Sequence, residues 1–134
     1  MMSNRQPRIP GSDHPITIED TGSRVVVRAG GRVVADTTRA LTLQEAAYPP
    51  VRYIPLDDVD QDLLAASDTH TYCPYKGDAS YFTITLPGTE LTDAVWFYPE
   101  PYAAVAPIAG HVAFYTDRVD VTTEAVPRPP RVGP

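Results

Sequence analysis

Apolar positions along this chain alternate with polar ones far more often than they recur at helical spacing, which marks short strands rather than helices. Arg24-Val25-Val26-Val27-Arg28 and Arg32-Val33-Val34-Ala35-Asp36 flank Gly30-Gly31. Paired glycines supply the positive φ of a tight turn, so the two runs predict a hairpin. Ala40-Leu41-Thr42-Leu43-Gln44-Glu45 alternates and predicts a third strand. Ser80-Tyr81-Phe82-Thr83-Ile84-Thr85-Leu86, rich in β-branched and aromatic residues, runs into the turn pair Pro87-Gly88. Ala94-Val95-Trp96-Phe97-Tyr98 is stopped by Pro99 and Pro101, and His111-Val112-Ala113-Phe114-Tyr115 and Arg118-Val119-Asp120-Val121 close the set. One stretch reads as helical, near 58–66: Asp57 or Asp58 caps a segment through Val59, Leu63 and Leu64, with acidic residues favoured in the first turn by the helix dipole. The pattern predicts an all-β, mainly antiparallel fold with that one short α-helix.

Composition sharpens this. Fifteen prolines in 134 residues are about twice the usual ~5% and favour short strands joined by stiff turns. The length suits one core, and the divisions expected are a flexible N-terminal arm over 1–14, a single domain over 15–123 and a Pro-rich C-terminal tail over 124–134. Eleven basic against 17 acidic residues give a net charge of −6, a poor match for phosphate backbones and anionic membranes alike. Neither nucleic acid nor membrane is therefore expected as a partner. One cysteine cannot form an internal disulfide, nor a four-ligand zinc site with histidines scattered at His14, His70 and His111. No metal and no other cofactor are expected. No apolar run approaches the roughly 18 residues of a membrane span, and Met1–Pro7 lacks the apolar stretch of a signal peptide, so a cytoplasmic location is expected.

Candidate chemistry concentrates in three places. Thr71-Tyr72-Cys73-Pro74-Tyr75-Lys76-Gly77 places a thiol, an amine and two phenols on one constrained loop. Lys76 beside Cys73 would favour the nucleophilic thiolate; otherwise Cys73 is a small buried hydrophobe and Lys76 an ion-paired or solvated cation. Asp58, after Tyr53-Ile54-Pro55, is a general base or simply a helix cap. Glu45 ends an alternating strand, where burial at a cavity mouth would raise its pKa; the other reading pairs it with Arg52 or Arg39. In the third place, alternation puts Trp96 and Tyr98 on one face and Phe97 on the other, to line a ligand cleft or fill a core. His70, near the Cys73 loop, is the histidine best placed by sequence for proton transfer. Dinucleotide, P-loop and nucleophile-elbow motifs are absent.

Several of these runs occur together in a known order: Arg24-Val25-Val26-Val27, Ala35-Asp36-Thr37-Thr38-Arg39-Ala40-Leu41, Glu45, Tyr53-Ile54-Pro55, Asp58-Val59, the Thr71–Tyr81 stretch, Ala94–Tyr98 and Ile108-Ala109-Gly110-His111-Val112-Ala113-Phe114-Tyr115. Over about residues 14–121 the chain resembles the bacterial and fungal domain-of-unknown-function family 427, also listed as nucleotidyltransferase-like. The resemblance implies a β-tent fold, two antiparallel sheets meeting at an angle, without the structural zinc of many proteins sharing that architecture, since only one cysteine is present. It also implies a recurrent polar set at Glu45, Tyr53, Asp58, Cys73, Lys76, Tyr81, Trp96 and Tyr98. Leu56 stands where family members usually carry arginine, and Arg52 where Gln or Tyr is commoner, so a less polar ligand than the family's is implied. The residues offer neither a phosphate-cradling loop nor a paired-Asp metal site to support nucleotidyl transfer.

Three functions follow as expectations. The first is a small-molecule-binding domain with Tyr53, Tyr72, Tyr81, Trp96 and Tyr98 around the ligand. The second is a small cofactor-independent enzyme acting on a specialised metabolite, with Glu45, Asp58, Cys73 and Lys76 as its acid, base and nucleophilic groups. The third is a protein-interaction domain. A homodimer is compatible with each.

Overall fold

The computed structural model describes residues 6–125, and the Pro-rich stretch from Val126 onward lies outside them. In chain order the strands are β1 (Ile16–Asp20), β2 (Ser23–Ala29), β3 (Arg32–Thr37), β4 (Leu41–Glu45), β5 (Val51–Pro55), β6 (Leu64–Cys73), β7 (Gly77–Leu86), β8 (Thr89–Phe97), β9 (His111–Phe114) and β10 (Asp120–Ala125). They form a seven-stranded sheet in the order β1-β4-β5-β9-β8-β7-β6 and a three-stranded sheet in the order β10-β2-β3. Every pairing is antiparallel. The mainly antiparallel, all-β architecture is thus as the alternation predicts, and its two sheets are as the resemblance implies. The β2–β3 hairpin turns where expected, with Gly30 at φ 57° and Gly31 at φ 80°, a left-handed pair that residues with a Cβ adopt only at a cost.

The helical segment expected near 58–66 is present as two separate 3-10 turns, Leu56–Asp58 and Gln61–Leu63, rather than as an α-helix. Between them Val59 is extended and bridges Ala35, while the Asp60 amide donates to the Val34 carbonyl at 2.8 Å. The edge of β3 captures this backbone, and one or two turns of helix contribute too little alone to compete. Asp60, not Asp57 or Asp58, is the capping residue, accepting from the Asp62 amide at 3.3 Å.

Two buried clusters lie on opposite faces of the large sheet. The first fills the space between the sheets, with Val25, Val27 and Val34 of the small sheet against Ile54, Ile84, Val95 and Val112 of the large one. The second covers the far face: Leu43, Tyr53, Ala79, Tyr98 and Ala113 pack under Val105 and Ile108 of a 3-10 segment at Ala103–Ile108. Alternation along each strand divides the residues between the clusters. Ile54 and Val95 face inward, whereas their neighbours Tyr53 and Trp96 face the second cluster. Fully burying one such aliphatic side chain is worth about 1.5–3 kcal/mol, so both faces of the large sheet carry stability. Among the described residues no helix is long and apolar enough to cross a membrane, and no group of three or more His, Cys, Asp or Glu side chains is arranged to hold a metal ion.

Candidate functional site

The turn after β6 brings Cys73 and Lys76 to the end of β4. Lys76 is buried, and its Nζ donates to Glu45 Oε1 and to Cys73 Sγ, the latter at 3.7 Å. His14 completes the group: its Nε2 lies 2.8 Å from the second Glu45 oxygen, and its ring stacks on Tyr75 with centroids 4.0 Å apart and planes 7° from parallel. The segment before β1 reaches the same turn through the Arg8 amide, which donates to the Pro74 carbonyl at 2.8 Å. Burial works against the Glu45 carboxylate, but the hydrogen bonds from Lys76 and His14 outweigh it and hold its pKa below the usual value. The raised pKa expected for a glutamate at a cavity mouth is therefore corrected. Glu45 is ionised, and each of its oxygens has a partner.

Of the other residues singled out from sequence, Asp58 stands apart. Its carboxylate accepts from Thr37 at 2.6 Å and from Arg39 at 3.1 Å, beside the small sheet. The Thr37 hydrogen bond chiefly lowers its pKa, with Arg39 adding to the effect against some burial. His70, on the exposed edge strand β6, lies 3.3 Å from Ser80 Oγ, and the histidine of the Glu45 cluster is His14 instead. Tyr72 bonds Tyr102 hydroxyl to hydroxyl at 2.9 Å, with the rings edge to face. Tyr53 and Tyr98 are buried in the far-face cluster, and burial drives both phenol pKa values up, so they are neutral donors. Tyr81 bonds Thr71 at 2.9 Å.

Trp96 links this face to a cleft. Its ring meets Tyr53 edge to face and lies 4.5 Å from that of Tyr115. Beyond Tyr115 opens a cavity of about 580 Å³ at one end of the space between the sheets. Its walls include Ile54 and Phe114 from the large sheet and Val121 and Thr123 from β10; Tyr48, Pro49 and Pro50 form its lip. Of the nine site residues expected from sequence, only Trp96 lines it.

Arg52 also lines this cavity. Alternation along β5 sets it on the same side as Ile54, opposite Tyr53. Its Nε is buried without a hydrogen-bond partner, and neither Glu45 nor Asp117 pairs with it. A buried donor left unsatisfied costs about 1–3 kcal/mol, and buried polar groups are nearly always partnered.

The family model described as domain of unknown function (DUF427) matches residues 17–125, from the first strand to the last. The chain belongs to the DUF427 family. No curated protein matches this DUF427 chain. The fold keeps most of the polar set implied by the resemblance together: Cys73 packs against the same far-face cluster as Tyr53, Tyr81, Trp96 and Tyr98 and joins it to Lys76 and Glu45, while Asp58 lies elsewhere.

Two residues of this DUF427 domain escaped sequence reasoning. His14 precedes the first strand, and nothing local announces a partner 31 residues away. Arg52 did carry a signal, being a lone cation amid Val51, Tyr53 and Ile54. Sequence left it as a partner for Glu45, which Lys76 and His14 occupy instead.

Proposed function

We propose that this DUF427 domain binds a small molecule with a flat apolar body in the cleft between its sheets. One observation carries the reading: the cavity of about 580 Å³ is walled by aromatic, proline and aliphatic side chains. Ligand sites commonly span roughly 300–1,000 Å³ and combine such walls with a few polar groups. The β-tent architecture implied by the resemblance places a cleft between sheets in the same way.

The test uses intrinsic fluorescence. Trp96 is the single tryptophan and lines the cavity, so an occupant changes its emission directly. A panel of aromatic metabolites should contain compounds that alter this signal saturably and raise the melting temperature. A ligand at 100 times its Kd stabilises by about 2.7 kcal/mol. Tyr48→Ala removes part of the lip, where the ring is 63% exposed, and should weaken binding without unfolding the chain. If no compound changes Trp96 emission, or if Tyr48→Ala leaves every affinity unaltered, the cleft is not the binding site.

A catalytic reading draws on the 3.7 Å approach of Lys76 to Cys73 beside Glu45. Neither of the two charged groups is free there, and none of the three lines the cavity. Turnover of a bound compound that Glu45→Gln abolishes without changing its Kd would favour the enzyme over the binder.

A further inference from the structure

We propose that the occupant of the cleft carries a carboxylate, held by the Arg52 guanidinium while its flat apolar body lies between the aromatic and proline walls. The inference rests on the binding reading above and names the class of ligand.

Three observations converge on it. Arg52 lines the cavity and makes no ion pair with a described residue, while the other described arginines with acidic neighbours are already engaged: Arg24 with Asp36, Arg32 with Asp60 and Arg39 with Asp58. A guanidinium presents a planar fork that matches a carboxylate with two parallel hydrogen bonds. Ile54, Phe114, Trp96 and Val121 give the cavity an apolar wall against which the ligand's flat body would lie beside that pair.

The charge count selects among oxyanions. Among the described residues Arg52 is the only cation lining the cavity, and Asp117 on the exposed loop after β9 is its only anion. One guanidinium balances one negative charge. A phosphate monoester carries about −1.5 to −2 near neutral pH, and its excess charge would sit near Asp117 with no cation to meet it. A monoanionic carboxylate leaves no such excess. Asp117, being exposed to solvent, repels it through screened water rather than through the protein interior.

The experiment titrates wild type with matched probes, 2-naphthoate, 2-naphthamide and 2-naphthyl phosphate, and reads Trp96 emission. The expected result is that 2-naphthoate binds at least about tenfold tighter than the neutral amide, which corresponds to roughly 1.4 kcal/mol, and tighter than the phosphate. Arg52→Met should erase the preference by weakening naphthoate to the level of the amide. The melting temperature should not fall, because the substitution removes a buried donor that has no partner. Arg52→Lys, a point charge without the fork, should recover part of the preference. Equal affinity for naphthoate and amide, a preference that survives Arg52→Met, or tighter binding of the phosphate would each overturn the carboxylate assignment and leave the cleft reading standing. If none of the three probes changes Trp96 emission, the cleft reading falls and this inference falls with it.

Discussion

Lys76 and Glu45, 31 residues apart in sequence, meet in an ion pair whose lysine side chain is 9% exposed and whose glutamate is 18% exposed. The pair ties the β6–β7 turn to the end of β4, and its partners set what each substitution does. Glu45→Ala strands a buried ammonium with only the Cys73 sulfur near it, and should destabilise by about 3 kcal/mol, the lower end for breaking a buried pair. Lys76→Met keeps the apolar stem and leaves Glu45 its His14 contact, so the loss should be smaller. Urea denaturation with an unchanged m-value measures both. The reverse order would mean that the turn is held by something other than this pair.

Acid should weaken the fold through the same carboxylate. The Glu45 pKa lies below the ordinary glutamate value of 4.5, because the hydrogen bonds from Lys76 and His14 outweigh burial. A depressed folded pKa means that the folded state binds the proton less readily than the unfolded state. The stability it contributes is therefore whole above 4.5 and lost as pH falls through the lower, folded value. Glu45→Gln should be less stable than wild type at neutral pH and should lose less stability on acidification. Denaturation midpoints followed from pH 7 to about 3 should converge; parallel curves would mean that the pair carries no pH-dependent stability.

The strands that sequence reveals and those it hides differ in what covers them. β2, β3, β7 and β9 each bury one face or both, and alternation or β-branched runs disclose them. β1 and β6 are the two edges of the large sheet, and β6 reads Leu-Ala-Ala-Ser-Asp-Thr-His-Thr-Tyr-Cys. That strand is held by backbone pairing to β7, which leaves little trace in hydrophobicity. β5 is masked by Arg52 and Pro55, although it sits between β4 and β9. The site shows the same division. Cys73 and Lys76 are near in sequence and meet as the loop suggested, whereas the approaches of Glu45 and His14 depend on topology that no local pattern encodes.

Gly77 begins β7 at φ 112°, and a Cβ built there would lie 3.3 Å from the Glu100 carbonyl oxygen. Both the backbone conformation and the rigid neighbour oppose a side chain. Gly77→Ala should destabilise by about 1–3 kcal/mol and, because Lys76 is adjacent, should also loosen the pair with Glu45. Hydrogen exchange of the Lys76 amide, bonded to the Cys73 carbonyl at 3.2 Å, should accelerate. Unchanged exchange would confine the strain to Gly77 itself.

Alkaline titration should separate the tyrosines. Burial, aided by the neighbouring Tyr81, pushes Tyr115 up to about 12, and burial pushes Tyr53 and Tyr98 upward as well. Since their folded pKa values exceed the ordinary value of 10.0, these phenols add stability that is present below pH 10 and lost as pH rises above it. Phenolate absorbance should therefore lag behind that of the unfolded chain by these three groups. Tyr115→Phe should remove one of them; a lag that stays the same would place Tyr115 outside the delayed set.

Asp58 belongs to the polar set implied by the resemblance, yet its contacts are those of a clamp. It accepts from the buried Thr37 hydroxyl and from Arg39, joining the end of β3 to the 3-10 turn that follows β5. Asp58→Ala would leave the Thr37 hydroxyl buried without its acceptor, a loss of about 1–3 kcal/mol. Asp58→Asn retains an acceptor oxygen and should lose less. Because Asp58 does not line the cleft, neither change should alter the affinity of 2-naphthoate measured by Trp96 emission under folded conditions. A stable Asp58→Asn protein with altered affinity would show that the 3-10 turn reaches the ligand through Ile54, the cavity residue two positions before Leu56, where that turn begins.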